Sequence, residues 1–148
     1  MFDYNHHCFG CGELNPQGLK LKFFKDGETL YTTFVPGEVH QGYPGIMHGG
    51  ITSTILDEVM SRSISALGLL AFTARLEVRF RSNVPLHRPV RFEAWITGRK
   101  SKVIDTEARA VLDDGQVAAE AKARFMVKGA GEIYLDTGSR EEKQNDET

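Results

Sequence analysis

His48-Gly49-Gly50-Ile51-Thr52-Ser53-Thr54-Ile55-Leu56-Asp57 is the stretch on which the reading of this chain turns. It follows a loop of helix breakers, Gln41-Gly42-Tyr43-Pro44-Gly45, and opens a proline-free run. The pattern predicts a helix from about Gly49 to Leu67, with Gly68 as its stop. Glycines at its start let another group come close to the backbone. The first N–H groups of a helix have no partner inside it. With the helix dipole they form a site for negative charge. Two turns later stands a carboxylate, Asp57. A donor pocket and a carboxylate on one short element suit the polarising of a carbonyl and the activation of water. The plainer alternative is a Gly-rich turn into a buried helix that carries an incidental acid.

On a helical wheel Ile51, Ile55 and Val59 share one face, and Leu56, Met60 and Ile64 widen it. A helix apolar over so much of its circumference is largely buried, and a sheet wrapped around it is expected. Glu58 and Arg62 stand at i and i+4 in the favourable order, which predicts a surface ion pair. Asp57 has no cation three or four residues away and is the acid left for chemistry.

Outward from the helix the period changes to two. Upstream, Leu19-Lys20-Leu21-Lys22-Phe23 alternates as a half-buried strand, Asp26-Gly27 signals a hairpin, and Thr29 to Val35 reads as its partner. Downstream, Leu76, Val78 and Phe80 alternate with charged residues, and Val90, Phe92, Ala94 and Ile96 repeat the pattern. Gly98 to Lys102 reads as a basic turn, Val103 to Leu112 as a strand, and Asp113-Asp114-Gly115 as a hairpin turn. Gln116 to Val127 closes the set; its alanines permit a helix, but the turn before it and Phe125-Met126-Val127 favour strand. Two strands, one long helix and four strands joined by short loops make an α+β fold with a mostly antiparallel sheet. One helix covers only one face of such a sheet, so its open edges predict an oligomer. The expected divisions are an N-terminal loop segment over 1–18, a folded domain over 19–128 and a flexible tail over 129–148.

The 148 residues suit one domain, 41% apolar and 26% charged. A net charge of −2 argues against a nucleic-acid partner. No apolar run approaches the ~20 residues of a membrane span, and the expectation is a cytoplasmic protein with no membrane contact. His6, His7, Cys8 and Cys11 lie close together and raise the question of zinc, which needs four donors or three and water. No second cysteine pair follows, so the reading adopted is a turn at Gly10-Cys11-Gly12 with small thiols under a loop and no metal. Without a following helix, a redox role for the CxxC is not favoured.

With these elements in order, the chain resembles hotdog-fold acyl-CoA thioesterases of the phenylacetyl-CoA thioesterase-like (PaaI-type) branch. The resemblance rests on His48-Gly49-Gly50 with Asp57 nine positions after the histidine, and on the loop Gln41 to Met47 before it. It rests too on Leu76 to Arg81 running into Ser82-Asn83-Val84-Pro85-Leu86, and on Cys8-Phe9-Gly10-Cys11-Gly12 with Asn15-Pro16-Gln17-Gly18-Leu19. These cover roughly residues 8–128.

The resemblance implies a homodimer whose sheets join edge to edge, active sites at the subunit interface, and often a tetramer of such dimers. It implies an acyl-CoA substrate, medium-chain or aromatic, hydrolysed to free acid and CoA, with coenzyme A present only as part of the substrate. The Gly49 N–H would form the oxyanion hole. Asp57 from the partner subunit would act as general base or nucleophile. Ser82 would help position water, and His48 would orient the loop. The branch often carries Asn where this chain has Gly42; Gln41 stands beside it and offers the same amide. Gly50, Tyr43, Met47, Arg81, Arg99 and Lys100 are the expected substrate contacts. The cations of Arg81, Arg88, Arg99, Lys100 and Lys102 are candidates for CoA phosphates, and Tyr43, Ile46, Met47, Met60 and Phe72 for the acyl pocket. The competing readings are an acyl-CoA binder without turnover and an enoyl-CoA hydratase. The latter would place a histidine after the aspartate in the helix, and none follows Asp57.

Overall fold

Helix α1 spans Gly49–Ser65, and the rest of the molecule is arranged around it. The computed structural model describes residues 2–131 and 135. The strands are β1 (Phe24–Asp26), β2 (Thr29–Phe34), β3 (Leu69–Phe80), β4 (Val90–Lys100), β5 (Val103–Leu112) and β6 (Val117–Ala130). They form one sheet in the order β1-β2-β4-β5-β6-β3. Every neighbouring pair is antiparallel. The fold is therefore the expected α+β arrangement of one helix on a six-stranded sheet.

The helix sits as its wheel predicts. Ile55, Leu56, Val59, Met60 and Ile64 are fully buried, and the sheet faces them with Phe92, Ala94, Ile104, Ala108 and Phe125. Helix α1 packs across β4, β3 and β5. Alanines at 108, 110, 119, 121 and 123 are buried along β5 and β6, and side chains this small let a helix lie close to the sheet. Gly68, at φ +76, turns the chain out of the helix and into β3. Strand β3 pairs with β6 on one side, and on the other it is the edge of the sheet.

Several local expectations give way to tertiary contacts. Leu19, Leu21 and Phe23 are buried as the alternation requires, yet the segment is not a strand. The Leu19 N–H donates to Phe9 O at 2.8 Å and the Leu21 N–H to Gly10 O at 3.0 Å. Lys20 between them has φ +54. The N-terminal loop thus takes the bonds that a strand would have offered to the sheet. β3 begins at Leu69, well before the alternation becomes regular at Leu76. β4 continues through Arg99 and Lys100, so the basic turn shrinks to Ser101-Lys102, with Ser101 at φ +57.

The Glu58–Arg62 pair forms at 3.3 Å, but it is not on the surface. Both residues are under a tenth exposed, because the Cys8–Cys11 loop covers them. β6 runs to Ala130, two residues into the stretch read as a tail. Beyond Gly131 and Leu135, that stretch lies outside the described residues. Among the described residues no helix is long and apolar enough to cross a membrane.

Candidate active site

The start of α1 opens on a cavity of about 720 Å³. His48 is the N-cap, and its Nδ1 accepts from the Gly50 N–H at 2.9 Å. The His48 carbonyl accepts from Ile51 and Thr52 N–H at 3.0 and 3.1 Å. Three of the first four helix donors are thereby satisfied. The Gly49 N–H has no acceptor among the described residues, and Gly49 lines the cavity. That leaves one preorganised donor at the positive end of the helix dipole.

Residues from both sides of the helix start complete the cavity. Gln41, Tyr43, Ile46 and Met47 come from the loop before it, and Phe80, Arg81 and Ser82 from the end of β3. The loop is held by its own bonds: Gln41 Oε1 accepts from Gly45 N–H at 2.9 Å, and Met47 N–H donates to Val84 O at 2.8 Å. Gly42 has its Cα side pressed on the N-cap, where a Cβ would stand 3.1 Å from His48 Cα. A side chain in that place would need the N-cap to give by a few tenths of an ångström, and Gln41 is the amide beside the cavity. Ser82 donates its backbone N–H to Ala118 O. Its Oγ is buried without a hydrogen-bond partner among the described residues.

Asp57 does not line this cavity. Eight residues along a helix is ~12 Å, and Asp57 lines a second cavity with Cys8, Phe72 and Thr73. Its Oδ1 accepts from Thr73 Oγ1 at 2.7 Å. Burial pushes its carboxyl above the ordinary range, and the Thr73 bond opposes that only in part. Thr73 is a partner of Asp57 that the sequence did not signal, because nothing in a strand pattern marks which hydroxyl meets a helix sixteen positions away. The same cavity exposes another surprise. The Cys8 thiol is pulled down to about 5, chiefly by a hydrogen bond from the Cys11 thiol, while Cys11 itself is pushed up by that bond and by burial.

Of the expected contacts, Gln41, Tyr43, Met47, His48, Gly49, Arg81 and Ser82 come together around the first cavity. Gly50 is adjacent, with its N–H committed to His48. Arg81 is engaged by Glu120 at 2.9 Å. Arg99 and Lys100 are elsewhere: Arg99 pairs with Ile104 and so lies level with Phe125 and Thr73, whereas Phe80 at the cavity pairs with Ala119. They stand at the opposite end of the sheet because β4 absorbs the predicted turn. Met60 is sealed in the core and cannot line an acyl pocket. Phe72 belongs to the second cavity.

A family model, the thioesterase superfamily, matches residues 44–119, from the loop before α1 into β6. The chain belongs to the thioesterase superfamily. The matched residues contain both Gly49 and Asp57. Among thioesterase superfamily relatives, human acyl-coenzyme A thioesterase THEM5 is 36% identical over 78 residues, covering 51% of this chain and 32% of that protein. The chain thus spans about a third of the length of that relative. A crystal structure of another thioesterase superfamily protein superposes with TM-score 0.77 at 24% identity, covering 81% of this chain and 63% of the other. A Streptococcus mutans protein bound to acetyl CoA superposes with TM-score 0.71 at 15% identity, covering 75% and 90%. These two likenesses establish the fold.

Proposed function

We propose that this protein hydrolyses acyl-CoA thioesters to a free acid and coenzyme A, as a homodimer with two sites across its interface. The observation that carries the reading is the single unclaimed helix donor, the Gly49 N–H, opening on a cavity of substrate size. The thioester oxygen accepts from that N–H, and the donor strengthens as the oxygen gains charge in the tetrahedral intermediate. Such a donor is worth about 3 kcal/mol of transition-state stabilisation. The attacking oxygen adds to the carbonyl carbon, the carbon–sulfur bond breaks, and the CoA sulfur leaves with a proton.

Asp57 supplies the activation, as a general base on water or as the nucleophile that water later displaces. Its own chain keeps it ~12 Å from Gly49, so it acts in the site of the other subunit. The register of α1 on β3 supports this. Phe80 lies against Gly49, where a Cβ would meet its ring at 3.5 Å, and Thr73 holds Asp57. If the free β3 edges of two chains pair antiparallel about a two-fold axis near Leu76, Thr73 of each comes beside Phe80 of the other. Asp57 of the partner subunit then reaches the Gly49 cavity. Leu76 and Phe80 are large apolar side chains left exposed on this edge, as an unfilled interface would leave them.

In this reading Tyr43, Ile46 and Met47 form the apolar wall for the acyl chain and Ser82 Oγ holds water, supported by their lining the cavity and by the unpartnered Ser82 hydroxyl. The S. mutans neighbour with acetyl CoA supports CoA as the carrier, and THEM5 supports thioester hydrolysis. No cofactor besides the CoA of the substrate is needed for this chemistry, and the reading keeps the cytoplasm as its setting. The alternative is a binder of acyl-CoA without turnover. The half-buried carboxylate of Asp57 favours hydrolysis, since a binder gains nothing from a partly desolvated acid beside the thioester. Release of free thiol from a panel of acyl-CoAs tests the choice: turnover on at least one medium-chain or aromatic thioester is expected, and saturable binding with no release would overturn hydrolysis.

A further inference from the structure

We propose that Cys8, Cys11 and Glu58 form a binding site for a zinc-class divalent cation, which fastens the N-terminal loop onto helix α1. The two sulfurs and a Glu58 oxygen lie within 4.8 Å of one another. Zinc at ~2.3 Å from sulfur and ~2.0 Å from oxygen sets tetrahedral donors roughly 3.5–3.8 Å apart. Cys8 Sγ stands 3.4 Å from Glu58 Oε1, already at that spacing, and the other separations, all within 4.8 Å, need to close by about 1 Å at most. Thiolate donors select zinc over magnesium or calcium.

The loop is built for this approach. The backbone N–H groups of Gly10 and Cys11 favour the thiolate form of Cys8, as the outer partners of a metal-bound thiolate do. The Gly12 N–H donates to Cys8 O at 2.8 Å and closes the turn. A Cβ on Gly10 would fall 2.5 Å from Glu58 Cδ, and one on Gly12 would fall 2.3 Å from His6 O. Only glycine at both positions lets the cysteines fold down on the helix carboxylate.

Charge balance points the same way. Two thiolates and a carboxylate exceed a divalent cation by one negative charge, and Arg62 at 3.3 Å from Glu58 supplies the compensating positive one. Buried charge is tolerated where it is paired in this way. The Arg62 guanidinium also donates to Ser65 Oγ at 3.0 Å, which holds it beside the cluster. His6 is not a donor to the cation: its Nδ1 accepts from the Cys8 N–H and its Nε2 lies 2.8 Å from Asp3 O. It braces the loop instead. The adjoining cavity, lined by Cys8, Asp57, Glu58 and Thr73 among others, gives room for a water as the fourth ligand. On binding, each thiol that still carries a proton releases it to solvent.

The chain has only two cysteines, so thiol chemistry reads the site directly and independently of any thioester turnover. The tag-free full-length protein is stripped with chelator under reductant, given zinc, desalted, and assayed for zinc content and for reaction with a disulfide-exchange reagent. One zinc per chain is expected, with both thiols protected and then restored to reactivity by chelator. Cys11→Ser and Glu58→Gln should each weaken zinc retention by about tenfold or more. No retained zinc on the reduced wild-type chain would overturn the proposal. So would retention unchanged in both variants, or a Cys8–Cys11 disulfide that forms as readily with zinc as without it.

Discussion

In the proposed mechanism Asp57 and Gly49 carry different kinds of chemistry, and their substitutions should fail differently. Asp57→Asn keeps the Thr73 hydrogen bond and the shape of the site but cannot take a proton. It should lose about 10²-fold or more in kcat with little change in thermal stability, as acyl-CoA turnover and a melting curve will show. Thr73→Val removes the hydroxyl that holds the carboxylate. A hydrogen bond to a charged group is worth ~1.5–3 kcal/mol, so kcat should fall by roughly ten- to a hundredfold while KM changes little. At Gly49 a side chain stands in front of the donor rather than removing it. Within its own chain a Cβ there meets the Phe80 ring at ordinary contact distance, so Gly49→Val should fold and yet lose turnover. The glycines, the histidine and the aspartate stand as one local pattern in the sequence, whereas the capping of the helix by His48 had no sign there. Nor had Thr73, because its meeting with Asp57 depends on how the helix lies on β3.

Helix α1 and strand β3 show where local patterning suffices and where it does not. The wheel of Ile55, Leu56, Val59, Met60 and Ile64 foretold a helix wrapped by a sheet, and each of these residues is buried. Met60→Ala should cost ~2–5 kcal/mol of stability, measured by denaturant unfolding, with no direct effect on the cavity that Met60 does not line. Leu19 to Phe23 alternates just as well, but the N-terminal loop captures its N–H groups, and alternation alone cannot say which backbone a strand will pair with. Arg99 and Lys100 stand away from the cavity of their own chain for a related reason: β4 and β5 pair to the last residue before Ser101, which puts that end of the sheet level with Thr73 and not with Phe80. The ion pair of Glu58 and Arg62 was legible as a pair but not as a buried one, since the covering loop comes from fifty positions away. For β3 itself, the dimer reading makes a sharp statement. Glu77→Cys, on the exposed edge near the proposed axis, should cross-link between subunits on mild oxidation. Phe24→Cys, on the opposite edge strand β1, should not.

In the molecule as a whole, the proposed mechanism leaves neither chain with a complete site. The open donor lies at one end of β3 and the carboxylate at the other, so the proposed mechanism requires a second copy running the opposite way. Symmetric dimers supply such an arrangement as a matter of geometry. The measurement that bears most directly on this is complementation between two inactive chains. Asp57→Asn and Gly49→Val homodimers are each prepared, confirmed to lack turnover, then unfolded together in equal amounts and refolded. In a mixed dimer one site receives both defects and the other receives neither. Random pairing in a symmetric dimer should therefore return about a quarter of wild-type thioesterase activity. Mixed dimers that form yet recover no activity would contradict the account, because a site built within a single chain cannot be repaired by its neighbour.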